Sequence, residues 1–502
     1  MAKKEEKRQE KKQEMRHEMR RSPGVDPKET LGITVLKEKD SAEWYGQVCL
    51  KAELADYAPV KGCMIIRPRG YNIWETIQSE FDKRIKKLGV KNAYFPLFIP
   101  ETFFEKEKSH AQGFAPEVAW IANKYEGERI AVRPTSETVI CDSFKRWVRS
   151  HRDLPMRINQ WCNVVRWETE ATKLFLRTRE FLWQEGHCVY STEEECEKEV
   201  LMFLDEYEKL LKDVLAIPII KGKKTEKEKF AGAKNTYTME SFMPDGKALQ
   251  SGTSHNLGQG FMKSFGVSFV GEDEKPHIPY SASWGISTRL IGALVMLHSD
   301  NKGLVLPPKV CANKIVIVPI VFEKSKKEIL EYAKKVRHLV SDYHPLFDDR
   351  DEHTPGFKYS EWELKGIPLR IEVGPKDFEK NQVVIVRRDT GEKEFVMFDK
   401  IQERVPAILE KMHHDLYSKA LQHLKNSVKE GGTWEDFTNI IADAKLAKMP
   451  HCLDMKCEEA VKTKTAGVTS RCIPFENNKL NAKKCFACSQ DAKAMVLFGR
   501  SY

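Results

Sequence analysis

INQWCNVVRWE at 158–168 and FLRTREFLWQEGH at 175–187 decide the fold. Both stretches have the aromatic and β-branched content of strands, and a short polar loop, Thr169–Leu174, joins them. In an extended strand alternate residues share a face, so Cys162, Val164, Arg166 and Glu168 point one way. Arg177, Arg179, Phe181, Trp183, Glu185 and His187 repeat the arrangement in the second stretch. One surface would then carry three arginines, two glutamates, two aromatic rings and a histidine. Burying an unpaired charge is costly, so such a face calls for a charged ligand as partner. The plainer alternative is a solvated amphipathic hairpin.

Outward from this pair, Trp44 to about Val305 reads as one large α+β unit. Asn92–Ile99 has strand composition, and Glu193–Val214 carries Val200, Phe203, Leu204, Tyr207, Leu210, Leu211 and Val214 at helical spacing. Pro307-Pro308 breaks the pattern. Beyond it, Lys314-Ile-Val-Ile-Val-Pro-Ile, a charged helix at Lys324–Leu339 and the apolar runs Ile367–Val373 and Gln382–Arg387 alternate as in a small α/β domain closing near 425. Gly431-Gly432 marks a further break. The expected division is a charged extension at 1–40, a large unit at 41–307, an α/β unit at 308–425 and a small cysteine-bearing α+β unit at 426–502.

A chain of 502 residues, 41% hydrophobic and 31% charged, is too long for one small module and too apolar for a disordered chain. No run approaches the ~18 apolar residues of a membrane span, and the opening MAKKEEKRQEKKQEMRHEMRR lacks the apolar core of a secretory signal. A cytoplasmic chain without a membrane partner is the expectation. Net charge is +9, and residues 1–21 hold nine Lys/Arg against five Glu. That leader is either a solubilising tail or an arm tracking a nucleic-acid backbone. Twelve cysteines are too few and too uneven for a disulfide framework. Cys452-x4-Cys457 is followed 27 residues later by Cys485-x2-Cys488, two close thiol pairs of the kind that hold a structural Zn²⁺. Cys472 is left over, and His451 could replace a failing ligand.

Arg166-x-Glu168 followed by Arg177-x-x-x-Phe181 resembles the second signature of class II aminoacyl-tRNA synthetases, and Gly285-Ile-Ser-Thr-Arg289 resembles the third. Gly89 with Pro96-Leu97-Phe98 resembles the first. Within that class, RPTSE (133–137), TREFLWQEGH (178–187), TSHNLGQ (253–259) and PGFKYSEWELKGIPLR (355–370) are similar to prolyl-tRNA synthetases of the archaeal and eukaryotic-cytoplasmic type. The resemblance runs from about residue 40 to the C-terminus. It implies a class II antiparallel catalytic sheet, an α/β anticodon-binding domain, a C-terminal zinc-type domain and a homodimer. The implied partners are ATP with Mg²⁺, L-proline and tRNA(Pro).

By that resemblance Arg166 clamps the α-phosphate and the amino acid carboxylate, while Arg289 lies against adenine and reaches the γ-phosphate. A planar guanidinium offers bidentate hydrogen bonds and a stacking face, which suits both duties. Phe181 would cover the other side of adenine, Glu168 would accept from its amino group, and Arg177, Thr178, Gln250, Thr253 and Ser287 would complete the nucleotide site. Thr135 and Glu137 would receive the imino group of proline, with Trp183, His187 and His255 around its ring. Glu363, Arg370 and Lys376 hold the positions implied to read the anticodon. Family members also end in tyrosine, as this chain does at Tyr502, with the terminal carboxylate turned toward the active site. The resemblance further implies two chemical steps, adenylate formation and transfer to the tRNA. Only 97 residues lie between His187 and Gly285, too few for the editing insertion of some relatives, so editing in cis is not expected. A noncatalytic tRNA-binding relative is the alternative; it would have lost the phosphate-binding arginines.

Overall fold

The computed structural model describes residues 31–108, 118–167, 171–476 and 478–502. The strands of a first group are β1 (Lys91–Asn92), β2 (Met156–Val165), β3 (Glu180–Tyr190), β4 (Ile220–Lys223), β5 (Asn235–Phe242), β6 (Lys247–Gly258) and β7 (Tyr280–Ser287). A second group comprises β8 (Ile315–Pro319), β9 (Leu346–Phe347), β10 (Leu369–Val373), β11 (Gln382–Arg387) and β12 (Lys393–Met397). The last comprises β13 (Val428–Glu430), β14 (Leu446–His451), β15 (Thr469–Pro474) and β16 (Ala494–Ser501).

The first and last groups form one 11-stranded sheet in the order β13-β14-β16-β15-β4-β5-β6-β7-β3-β2-β1. The C-terminal strands thus extend the sheet of the first group rather than forming a separate layer. They join it where β15 pairs with β4, and β16 also runs parallel to the start of β6. Gly222 makes the first junction possible, because a Cβ there would stand 2.5 Å from the Ile473 carbonyl oxygen.

One face of the sheet is covered by α1 (Pro68–Lys87), α2 (Glu193–Asp213) and α3 (Arg289–His298). α2 starts at a capping box, Thr192 with Glu195, and buries Val200, Phe203, Leu204, Tyr207, Leu210 and Leu211. Phe203 stacks on Trp284 at 4.1 Å between centroids. Each such side chain contributes roughly 1.5–3 kcal/mol by leaving water. Gly186 lies opposite Trp284 in the sheet, and a Cβ on it would fall 2.0 Å from the indole.

The second group forms a 5-stranded sheet, β9-β8-β10-β11-β12, parallel at β9-β8-β10 and antiparallel beyond. Every residue of Ile315–Pro319 is buried, as expected of a strand covered on both faces. A helix at Ile401–Ser427 then leads to β13.

Three expectations shift. The strand read over 158–168 spans Met156–Val165, and the one read over 175–187 spans Glu180–Tyr190. The residues in front of the latter form a tight turn, bridged between Lys173 and Arg177, with Leu174, Phe175 and Leu176 buried. The strand read over 92–99 is split into Lys91–Asn92 and Phe98–Pro100, because the chain leaves β1 to pair with Ile130–Val132.

Candidate active site

The strand register lays the candidate residues out in rows. Ile158, His187, Ser283, His255 and Thr236 are successive cross-strand partners, and Gln160, Glu185, Gly285, Thr253 and Thr238 form the next row. Cys162, Trp183 and Ser287 follow, then Val164 and Phe181. The histidine row and Phe181 are six residues apart along β3, roughly 20 Å at ~3.3 Å per residue. A cavity of about 270 Å³ opens on this floor.

Eleven predicted residues line the cavity: Thr135, Glu137, Arg166, Phe181, Trp183, His187, Gln250, Thr253, His255, Ser287 and Arg289. The face read from period two therefore holds from Phe181 to His187. It does not extend to Arg177 and Arg179, which precede the strand. Arg177 and Thr178 are not part of the lining; the Thr178 hydroxyl donates to the Glu180 carbonyl at 2.7 Å, and Arg179 packs on Trp167. Glu168 lies outside the described residues.

At one end, Arg166 donates from Nε to the Pro134 carbonyl at 3.3 Å and lies 5.6 Å and 5.7 Å from the Phe181 and Trp183 rings. Arg289 opens α3, donating from Nε to the Leu176 carbonyl at 3.1 Å and from Nη1 to the Gln250 carbonyl at 3.3 Å. Burial, and then the like charges of Arg166, Arg471 and Arg177, push Arg289 down to about 10. It stays protonated at neutral pH.

At the other end the carboxylate of Glu185 is buried and fully engaged. It accepts from Ser136 Oγ at 2.5 Å and Gln160 Nε2 at 2.8 Å, and meets His187 Nε2 at 3.0 Å. Burial opposes its charge, yet the His187 partnership and the two hydrogen bonds hold it below the usual glutamate range. His187 mirrors it: burial opposes the imidazolium, and Glu185, then Glu137, outweigh that and raise its pKa. Glu137 starts a helix at Glu137–Trp147, a favourable place for a carboxylate, and accepts a hydrogen bond from Thr135 Oγ1. His255 has no such partner. Its Nδ1 lies 3.0 Å from Thr236 Oγ1, and burial, then the charges of His187 and Lys224, push it down to about 3.

Sequence reasoning did not assign Glu185, Glu228, Phe230, Thr236 or Ser283, all of which line the cavity. Glu185 was within reach, since it stands at period two between Trp183 and His187. Ser283 and Thr236 become visible only once the register is known.

Of the anticodon candidates, Arg370 and Glu363 meet as an ion pair at 3.0 Å, and Arg370 lies over the Tyr359 ring at 4.0 Å. Lys376 is exposed on the short helix Pro375–Glu379. The four predicted thiols converge: Cys452 Sγ is 3.6 Å from Cys488 Sγ, and Cys457 Sγ is 3.8 Å from Cys485 Sγ. Four thiolates held tetrahedrally at ~2.3 Å from one ion stand about 3.8 Å apart, so the donor set fits Zn²⁺. The donors that all lie within 4.8 Å of one another are His451, Cys452, Cys457 and Cys485; His451 Nδ1 accepts from the Leu453 amide at 3.0 Å, while its buried Nε2 has no hydrogen-bond partner among the described residues. Tyr502 docks on the catalytic unit, donating its hydroxyl to Asp245 at 2.6 Å between Lys173 and Lys247.

Comparison with known proteins defines the class first. A family model described as the class II core domain of tRNA synthetases (G, H, P, S and T) matches residues 120–298, and an anticodon binding domain model matches 314–408. A model of the prolyl-tRNA synthetase C-terminal domain matches 434–502. Proline–tRNA ligase 2 of Bacillus cereus is 50% identical over 95% of this chain and 100% of its own length. The proline–tRNA ligase of Clostridium novyi is 49% identical over 93% and 97%. The crystal structure of prolyl-tRNA synthetase from Cryptosporidium parvum with halofuginone and AMPPNP superposes with a TM-score of 0.90 at 44% identity, covering 94% of this chain and 100% of that one. A further structure of that enzyme, with L-proline and AMP, gives 0.88 at 43%. The chain belongs to the prolyl-tRNA synthetase family, class II ligases that join proline to its tRNA with ATP as a substrate. Its bacterial relatives widen the expected archaeal and eukaryotic-cytoplasmic type. No helix among the described residues is long and apolar enough to cross a membrane.

Proposed function

We propose that the cavity on the β2-β3-β7-β6 floor carries both steps of proline transfer: ATP-dependent formation of prolyl-adenylate with release of pyrophosphate, then acyl transfer to the terminal ribose of tRNA(Pro). One observation carries this reading: two arginines and Phe181 at one end of the floor, a Glu137/Glu185/His187/His255 group at the other, and Trp183 beside Phe181 between them. The first end is charged and flat enough for a nucleotide; the second offers carboxylates to an ammonium, and Trp183 offers an aromatic wall to a compact ring. Thr135 and Glu137 receive the imino group, and Gln250, Thr253 and Ser287 sit beside the nucleotide. Arg177 and Thr178 act from beyond the cavity lining, and Glu168 keeps its implied role at the adenine. The Cryptosporidium parvum enzyme, solved with L-proline and AMP, supports the pairing of the two ends.

The attacking proline carboxylate is already ionised at pH 7, so no side chain has to act as general base in the first step. Arg166 and Arg289 supply charge where it develops on the α-phosphate and the leaving pyrophosphate. ATP would enter with Mg²⁺, which neutralises phosphate charge. Cys452, Cys457, Cys485 and Cys488 would hold one structural Zn²⁺, closed and outside the chemistry. Glu363, Arg370 and Lys376 would meet the anticodon bases. The functional units are 41–307, 308–425 and 426–502 behind the extension at 1–40. We place the enzyme in the cytoplasm as a homodimer. It has no editing activity in cis.

ATP–pyrophosphate exchange across twenty amino acids tests the reading. Proline is expected to lead, with alanine and cysteine as weak leaks because small apolar side chains differ by only ~1–3 kcal/mol in binding. Exchange led by another amino acid would sink the proline assignment. On the same preparation, elemental analysis is expected to find one zinc per chain, and alanyl-tRNA(Pro) is expected to survive incubation.

A further inference from the structure

The C-terminal unit reaches the nucleotide end of the cavity through one buried ion group. Glu240 on β5 is fully buried. Its Oε1 accepts from Lys224 Nζ at 2.9 Å and Thr238 Oγ1 at 2.9 Å. Its Oε2 accepts from Nε and Nη2 of Arg471 at 3.0 Å and 2.9 Å. Arg471 belongs to β15, some 230 residues from Glu240 in sequence, and Nη1 of the same guanidinium donates to Thr469 Oγ1 at 3.3 Å. Two donors of one guanidinium thus converge on a single carboxylate oxygen, while Lys224 and Thr238 hold the other, so the carboxylate is anchored at both ends.

Directly across the ladder from Glu240 is Gln250 on β6. The pairing slips between Gln250 and Gly252, so an irregularity interrupts the ladder at this point and leaves the local backbone less constrained by main-chain bonds. Yet the Gln250 carbonyl is one of the two acceptors that hold Arg289. A guanidinium whose aim depends on a bulged strand needs that strand held from elsewhere.

We infer that Arg471 is a positioning residue for ATP: by clamping Glu240 it fixes the Gln250 bulge and, through it, the guanidinium of Arg289. The inference rests on the reading of Arg289 as a nucleotide ligand. It makes the C-terminal unit a working part of the nucleotide site. The same strand shows how the unit is braced. Next to Arg471, Ser470 Oγ donates to Glu458 on the helix Met455–Lys464, which carries Cys457, and Thr225 Oγ1 donates to the same carboxylate at 3.0 Å. The thiol cluster is thereby tied to the strand that delivers Arg471.

The test uses the full chain and ATP–pyrophosphate exchange, with ATP varied at saturating proline and proline varied at saturating ATP. Arg471→Met is expected to raise KM for ATP about tenfold while KM for proline stays within about twofold, and Arg471→Lys is expected to recover part of the loss. Because Arg471→Met leaves a buried carboxylate short of a partner and lowers stability, the pair Glu240→Gln with Arg471→Met is measured beside it. That pair is expected to regain the melting temperature but keep the raised KM for ATP. Recovery of both values together would make the clamp merely structural and overturn the inference, as would equal rises in the two KM values. Arg289→Met in parallel separates the two levels: exchange at the wild-type rate in that variant overturns the site reading and the inference with it, whereas its collapse with normal kinetics in Arg471→Met overturns the inference alone.

Discussion

Arg289 of the cavity and the arginines of the 5-stranded unit are held in opposite ways. Arg289 is fixed by two main-chain carbonyls and, among the described residues, meets no carboxylate at ion-pair distance. Arg370 sits between Glu363 and Glu372 at 3.0 Å and 2.9 Å. Arg387 lies between Asp389 and Asp415, Arg350 between Asp348 and Glu361, and Arg388 forks onto Asp300. A carbonyl orients a guanidinium without cancelling its charge; a carboxylate does both. The first arrangement costs folding stability and leaves the guanidinium charge uncancelled. The second cancels the charge within the fold, and breaking either partner away is what costs stability.

The largest effect expected from this contrast is in Arg289→Met, which keeps the aliphatic stem. Pyrophosphate exchange should fall by roughly 10²–10³, the ~2.7–4 kcal/mol that a preorganised electrostatic donor supplies. The melting temperature should stay level or rise, because a buried charge without a counter-ion is removed. Arg166→Ala should lose exchange to a similar extent. Exchange within a few-fold of wild type, or a clear drop in melting temperature for Arg289→Met, would erase the distinction.

Arg370→Met is the reverse experiment and of smaller expected size. Removing the guanidinium leaves Glu363 and the nearly buried Glu372 with only their longer ion pairs to Lys302 and Lys393, at 3.6 Å and 3.5 Å, so the 5-stranded unit should lose somewhat less than the ~3 kcal/mol of a wholly unpaired buried charge. Denaturant unfolding reads that loss. Pyrophosphate exchange should not change, because this reaction involves no tRNA. Charging of tRNA(Pro) should fall by about tenfold, in line with ~1–3 kcal/mol for a base contact. A loss of exchange in this variant would show that the two regions do not divide the work.

The division was partly legible in the chain. Period-two spacing from Phe181 to His187 was enough to bring an aromatic pair, a carboxylate and a histidine onto one face, because strand geometry is local. It failed two residues upstream, at Arg179, because the turn bridged by Lys173 and Arg177 delays the strand. The spacing of the cysteine pairs foretold a cluster, and across it Cys452 stands 3.6 Å from Cys488 and Cys457 3.8 Å from Cys485. Three things stayed hidden: the fusion of β15 onto β4, the Arg471–Glu240 grip and the arrival of Thr236 beside His255. Each depends on pairing between segments far apart or on a register shift, and neither composition nor periodicity carries that information.

The same rule separates two histidines, with the smallest expected effect. His187 has a carboxylate partner and titrates above the usual 6.5, while His255 has a hydroxyl partner and lies near 3. Glu185 titrates below its usual 4.5. The sign follows from linkage: a raised imidazole pKa contributes stability in full below about 6.5, lost as pH rises through the folded value. A lowered carboxylate pKa contributes above about 4.5, lost as pH falls through its folded value. The pair is therefore at full strength between those limits. Histidine-selective NMR should find one imidazole titrating above the usual 6.5 and another still neutral at pH 4. In Glu185→Gln the first titration should move down, since burial is then opposed only by Glu137, while the second should move only slightly upward as the neighbouring His187 charge weakens. If His255 instead gained a proton near pH 6, a neutral partner would be enough to support charge on this floor, and the account given for Arg289 would lose its basis.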